Sequence, residues 1–230
     1  LSCLRLMKLK HLPMSLPSNI CVSLANLSFS ELMDTLQKYP FAEVRMDLLN
    51  LTNQQYKEVF ASHGALIATY RAGAIPEQER AQQLIHALNW GAAFVDLEME
   101  TTPEWRLPIV NRAKELNRRV ILSYHNYSST PTCKELYDIA DSLFDSGADI
   151  AKIACMVNLP SDNAKILSLY AKYANIVAIG MGQGGQISRI AAPILGAPFT
   201  FAAIAGKETA PGQLTQEQLQ ELFHLVGYKE

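Results

Sequence analysis

Arg119-Val-Ile-Leu-Ser-Tyr-His125 and Asp149-Ile-Ala-Lys-Ile-Ala-Cys155 are two short apolar runs separated by one amphipathic stretch, and together they decide the fold. Each has the length and β-branched content of a strand buried on both faces. Between them, Thr132 and Glu135 have the spacing of a helix-opening capping box, and Gly147 falls where a helix should stop. Strand, helix and strand in this order form a βαβ unit, which makes the two strands parallel.

The same rhythm continues in both directions. Strands are expected at Ile20–Leu24, Glu43–Leu49, Leu66–Arg71, Phe94–Met99, Arg119–His125, Ile150–Cys155, Ile176–Met181 and Phe199–Ile204. Capping-box spacing recurs at Ser28 and Glu31, Thr52 and Gln55, Thr101 and Glu104, and Thr215 and Gln218. Pro103 suits a first helical turn, and Gly91 a helix stop. Eight such units with short loops predict an α/β chain folded as a single (β/α)8 TIM barrel. A doubly wound sheet uses the same alternation. It would normally place a phosphate-binding glycine loop after its first strand, and Ser23-Leu-Ala-Asn-Leu27 is not one. With no Pro-, Gly- or Ser-rich linker, residues 1–230 are expected to be one domain, with residues 1–18 an irregular lead-in or a cover over the barrel floor.

Composition narrows the function. At 49% apolar and 18% charged residues the chain can fill a large core, and a net charge of −2 gives no electrostatic reason to bind nucleic acid or an anionic membrane. Cys3, Cys21, Cys133 and Cys155 form no Cys-x-x-Cys pair, which suits a reducing compartment and speaks against a zinc site or disulfide framework. Cys155 reads as a packing residue. Leu1 to Lys10 is interrupted by Arg5, Lys8 and Lys10 and lacks a signal peptide's apolar stretch, and no segment approaches the ~20 apolar residues of a membrane span. A cytoplasmic location is expected, with Met7 or Met14 as alternative starts.

In such barrels the chemistry sits at the C-terminal ends of the strands. Lys152, within Ile150-Ala-Lys-Ile-Ala154, is a cation in a doubly buried strand, where desolvation favours a neutral, nucleophilic amine. The bland reading is a structural lysine paired with an inward carboxylate. His125 ends the preceding strand and is expected to be the proton carrier. Glu43-Val-Arg45-Met-Asp47 alternates charges, which on one strand share a face and must pair with one another inside a barrel. Asp96 and Glu98 repeat the pattern, as neutralisers of buried cations or as orienters of His125. Arg71 and Arg189 at the mouth point to an anionic ligand, since guanidinium grips carboxylate with two hydrogen bonds. The stretch Gly180-Met-Gly-Gln-Gly-Gly185 reads weakly as a phosphate cradle, and Thr209-Ala-Pro-Gly-Gln213 as either a plain turn or a site loop.

Taken in order, these segments resemble type I 3-dehydroquinate dehydratases, from about Ile20 to the end of the chain. The motifs are Val22-Ser-Leu24, Glu43-Val-Arg45-Met-Asp47, Thr69-Tyr-Arg71, Asp96-Leu-Glu98, Ser123-Tyr-His125, Ala151-Lys-Ile153, Ile187-Ser-Arg189 and Ala210-Pro-Gly-Gln213. The resemblance implies dehydration of 3-dehydroquinate to 3-dehydroshikimate, the third step of the shikimate pathway to aromatic amino acids. It makes Lys152 the imine-forming residue and His125 the general acid and base. Ser23, Glu43, Arg45, Arg71, Arg189, Thr209 and Gln213 become the substrate contacts, with Thr209 standing where many members have serine. It implies no metal or organic cofactor, a small-molecule substrate and a homodimer. One departure follows Arg71. Many members carry a glutamate four residues on, where it helps orient the histidine, but this chain has Ile75, leaving Glu77, Glu79 or Glu98 as substitutes. Asn126 also replaces a common aspartate. The rival readings are a class I aldolase-like Schiff-base barrel and a catalytically weakened barrel that binds a hydroxylated carboxylic acid.

Overall fold

β-branched and aliphatic runs supply eight strands, each followed by a helix. In the computed structural model, which describes residues 16–73 and 75–229, the strands are β1 (Ile20–Leu24), β2 (Ala42–Arg45), β3 (Leu66–Thr69), β4 (Phe94–Glu98), β5 (Arg119–Asn126), β6 (Ile150–Met156), β7 (Ile176–Met181) and β8 (Thr200–Ala203). The helices are α1 (Phe29–Leu36), α2 (Asn53–Ser62), α3 (Glu77–Trp90), α4 (Pro103–Glu115), α5 (Cys133–Asp145), α6 (Pro160–Leu167), α7 (Gln186–Ile194) and α8 (Gln216–Leu225). All pairings are parallel, in the order β7-β6-β5-β4-β3-β2-β1-β8. This is the expected barrel. The seam between β7 and β8 is bridged just beyond the strands, where the Gly182 N–H donates to the Pro211 carbonyl at 3.0 Å. No helix among the described residues is long and apolar enough to cross a membrane.

The helices begin where the sequence says they should, with one exception. Ser28, Thr52, Thr132 and Thr215 each accept from the backbone three residues on, and the Glu31, Gln55, Glu135 and Gln218 side chains return the bond. Thr101 and Glu104 form no such box. Thr102 is the cap residue of α4, and buried Thr101 instead accepts from Arg80 Nη2 at 2.8 Å. Gly91 and Gly147, at φ of 123° and 100°, close α3 and α5 in a conformation that disfavours any side chain.

Strand alternation divides the core into two. One set of side chains, including Val22, Val44, Val95, Leu122, Ile153 and Ala178, packs outward on the helices. The other fills the barrel, and its lower end is aromatic: Phe41 lies 5.0 Å edge-on from Phe199 and 5.8 Å from Phe94. Leu16 packs against this interior cluster. Of the expected lead-in, residues 1–15 lie outside the described residues, as do Cys3, Met7 and Met14. Above the phenylalanines the interior becomes polar.

Candidate active site

Two strands end earlier than their sequences suggest, and both early endings shape the mouth. β2 stops at Arg45, whose ψ of 81° leaves the extended region, and Met46–Leu48 turn as a short 3-10 helix. The Tyr56 hydroxyl reaches the Met46 and Leu49 carbonyls at 3.0 and 3.1 Å and fastens that turn. Asp47 therefore does not share a strand face with Glu43 and Arg45. Bent back by the turn, it takes Arg45 in a two-pronged pair at 3.0 and 2.7 Å. β3 likewise stops at Thr69, so Arg71 leaves from a loop and folds inward over β4.

Asp96 is the hub of the interior. Fully buried on β4, it accepts both ends of the Arg71 guanidinium at 3.0 Å, the Ser123 hydroxyl at 2.6 Å and Lys152 Nζ at 2.9 Å. Burial alone would raise its pKa, but Arg71 and Lys152 outweigh burial and hold the carboxyl well below the usual range. The reciprocal attraction holds Arg71 firmly charged against its own burial. Glu43 accepts from Ser23 at 2.7 Å and Thr69 at 2.8 Å, with Lys152 Nζ 3.9 Å away. Lys152 thus combines the two readings that its sequence left open. It is buried in a strand among apolar neighbours, and it also has an inward carboxylate partner. Its ammonium lies 4.0 Å from the Phe201 ring centroid, within cation–π range.

His125 stands on β5 opposite Ala154, one strand from Lys152. Burial first, then Arg71 and Lys152, push its pKa well below the ordinary histidine value, against a weaker pull from Asp96. None of the expected carboxylates orients it. Glu77 accepts from Arg80 at 2.7 and 3.3 Å, and Glu98 accepts from the Ala72 N–H at 2.9 Å and from Arg80 at 3.3 Å. The imidazole makes no hydrogen bond to another described residue. Tyr127 stacks beside it instead, with ring centroids 6.0 Å apart and planes 12° from parallel.

Across the mouth the balance differs. Arg189, on α7, is 1% exposed, and its Nε and Nη1 have no partner among the described residues. Burial alone lowers its pKa to about 10. The loop after β8 is no plain turn: the Gln213 carbonyl oxygen accepts from the Thr209 N–H (2.7 Å), the Thr209 hydroxyl (3.2 Å) and the Ala210 N–H (3.1 Å). That leaves the Gln213 amide nitrogen for a further acceptor. The preceding glycines answer to packing. A Cβ on Gly185 would lie 2.4 Å from the Gly180 backbone, and Ser188 Oγ links the two by accepting from Gly180 and donating to Gly185.

Lys152, His125, Ser23, Glu43, Arg45, Arg71, Arg189, Thr209 and Gln213 all line one cavity of about 70 Å³. The structure brings together the nine residues that the resemblance assigns to catalysis or substrate contact. Ala154, Ile179, Met181 and Phe201 add an apolar wall that sequence reading did not single out. Tyr127 was missed too: it lies just past the end of β5, where strand alternation no longer places a side chain, yet it lines the cavity beside His125. Arg45, Arg71 and Lys152 have carboxylate partners within 3 Å, and Arg189 has none among the described residues, so the cavity offers its guanidinium to an anionic ligand. Among the described residues no group of three His, Cys, Asp or Glu side chains is arranged to hold a metal ion.

Comparison with known proteins agrees over nearly the whole chain. Residues 20–230 match the family model described as type I 3-dehydroquinase. A 3-dehydroquinate dehydratase of Methanococcus maripaludis strain C5 is 35% identical over 219 residues, covering 90% of this chain and 99% of that relative. Among solved structures, the 3-dehydroquinate dehydratase of Aquifex aeolicus superposes with a TM-score of 0.76 at 26% identity, covering 90% of this chain and 98% of that one. A type I 3-dehydroquinate dehydratase from Clostridium difficile, carrying covalently modified comenic acid, has the same fold, with a TM-score of 0.80 at 24% identity and coverage of 90% and 91%.

Proposed function

Because the chain belongs to the type I 3-dehydroquinase family, we propose that it is a hydro-lyase that converts 3-dehydroquinate to 3-dehydroshikimate, the third step of the shikimate pathway, through a Schiff base on Lys152. The observation that carries this reading is the convergence of Lys152, His125 and unpaired Arg189 on one cavity.

The Lys152 amine, in its unprotonated form, attacks the ketone at carbon 3. The carbinolamine takes up a proton from solvent and loses water to leave a protonated imine, the proton returning to solvent when the imine is hydrolysed. The imine draws electrons from carbon 2, and His125 takes the proton released there. The resulting enamine expels the carbon 1 hydroxyl, which leaves as water with the proton from the His125 imidazolium. Water then hydrolyses the imine and frees Lys152. The depressed basicity of His125 suits this cycle, because a weakly held proton is returned readily to the leaving oxygen.

Arg189, with the Gln213 amide, binds the substrate carboxylate, an anion that would satisfy the guanidinium nitrogens left bare. Ser23, Glu43, Arg45, Arg71 and Thr209 contact the ring hydroxyls. In the resting state Asp96 holds Lys152 and Arg71 in register for the incoming ketone. The reaction needs no metal or organic cofactor. We assign the protein to the cytoplasm, in keeping with the free cysteines Cys21, Cys133 and Cys155, and to a homodimer on the family resemblance alone. Sedimentation equilibrium at twice the mass of one chain is the result expected.

Borohydride reduction during turnover of 3-dehydroquinate, followed by peptide mass mapping, tests the imine. The expected adduct is on Lys152, and an adduct elsewhere or none at all would sink the mechanism. His125→Ala should still trap the imine while turnover falls by about 10²–10⁴-fold.

A further inference from the structure

His125 separates two cavities. One is the reaction cavity. The other, about 310 Å³, is lined by Glu77, Arg80, Glu98 and Glu100 together with His125 and Tyr127. His125 and Tyr127 are the two side chains that line both. We propose that Tyr127 is a positioning residue, whose ring stacks on the imidazole, fixes the plane of His125 and walls the reaction cavity off from its neighbour. The inference rests on the dehydratase reading, in which His125 carries the proton.

An imidazole with no hydrogen-bond partner can turn about its Cβ–Cγ bond unless packing stops it. The Tyr127 ring, nearly parallel at 6.0 Å, lies within the range of offset aromatic stacking. Although the Tyr127 side chain is 64% exposed, its backbone is tied down on both sides. The Asn126 side-chain oxygen accepts from the Ser128 N–H (3.0 Å), the Ser129 N–H (3.0 Å) and the Ser128 hydroxyl (2.8 Å). Thr130 donates to the Met156 carbonyl at 2.7 Å, and Asn158 to the Ser128 carbonyl at 2.7 Å. The turn is therefore built to present the ring, and proton transfer is sensitive to small angular errors.

The wall also sets the electrostatics. On the reaction side Arg45, Arg71, Lys152 and Asp96 act on His125, and Glu43 and Arg189 line the same space. Across the partition stand Glu77, Arg80, Glu98 and Glu100. Removing the ring widens the opening between the cavities and exposes the imidazole further to water and to these carboxylates. Both changes favour its protonated form.

The test compares Tyr127→Phe, Tyr127→Leu and Tyr127→Ala with the wild type, which must first dehydrate 3-dehydroquinate. Failure there ends the dehydratase reading itself, whatever Tyr127 does. In Tyr127→Ala we expect borohydride trapping on Lys152 to persist, kcat to fall about tenfold with KM within about twofold, and the acid limb of the pH–kcat/KM profile to move to higher pH. Tyr127→Phe should restore most of kcat and return the limb. Tyr127→Leu, which keeps bulk and loses the aromatic plane, should leave kcat as low as in Tyr127→Ala while holding the acid limb closer to that of the wild type. A wild-type kcat and pH profile in Tyr127→Ala would overturn the proposal, as would full rescue by leucine.

Discussion

The two sides of the barrel mouth hold their charges in opposite ways. On the β2–β6 side the ions are matched: Asp96 faces Arg71 and Lys152, and Arg45 faces Asp47. On the side of α7 and the loop after β8, Arg189 is nearly as buried as Asp96, yet it has nitrogens without a partner among the described residues and a pKa lowered to about 10. A buried charge with a partner belongs to the folded framework. One without a partner is costly until a ligand arrives. The difference separates the groups that hold the chemistry in place from the group that waits for an anion, and mutation should treat the two sides differently.

The largest effect belongs to the paired side. Lys152→Ala should lose about 10⁴-fold or more in turnover, as removal of a covalent nucleophile does, with product formation followed by absorbance. Next comes Asp96→Ala, which leaves Arg71 and Lys152 buried without their anion. Urea unfolding should show a loss of about 3–5 kcal/mol. Arg189→Met is the counterpart on the other side and should have the opposite signature. Stability should hold or rise, because the lost charge had no partner, while kcat/KM falls about 10²-fold or more as the substrate carboxylate loses its contact. If Asp96→Ala were harmless to folding and Arg189→Met severely destabilising, the division would be wrong.

The same division explains what the sequence disclosed. Eight strands could be placed because continuous apolar runs, capping boxes and the glycine stops around them are local signals. Lys152 was visible as a charge inside an apolar strand, His125 and Arg71 as polar residues closing apolar runs, and Arg189 as a cation just after the glycine stretch that follows the seventh strand. Partner choice was harder. Asp47 follows the alternation of Glu43 and Arg45, and only the turn at Met46–Leu48, fastened by Tyr56 from α2, gives it to Arg45. Thr101 has a helix cap's spacing, yet Arg80 claims its hydroxyl from a different helix. The hub role of Asp96 depends on distances to three other elements, which no one-dimensional pattern carries.

A smaller effect lies in the loop that completes the unpaired side. Gly212, at φ 75°, lies so close to Gly182 that an added Cβ would be 2.2 Å from its carbonyl oxygen. Gly212→Ala must push the Thr209–Gln213 loop away from β7, both by contact and by its positive φ. KM should rise by about five- to tenfold with kcat less affected, because a displaced loop weakens binding before it touches the chemistry. A KM unchanged from wild type would mean that this loop does not hold the substrate.

The smallest effect is one of pH, and it addresses the two sides together. His125 must be neutral to take the carbon 2 proton, so activity is lost as pH falls through its pKa. Burial, Arg71 and Lys152 disfavour the imidazolium, so the neutral base persists below the ordinary histidine range. Between pH 8 and 6.5, kcat/KM should therefore fall by less than about twofold, the loss an unperturbed histidine of pKa about 6.5 would give. Arg71→Met should move the limb upward, since it removes a repelling cation and frees Asp96 to attract the imidazolium. Arg189→Met, though it removes a more deeply buried cation, should leave the limb in place, because Arg189 is not among the charges that shift His125. Equal shifts in the two variants would show that the sides share one field, and that pairing does not divide them.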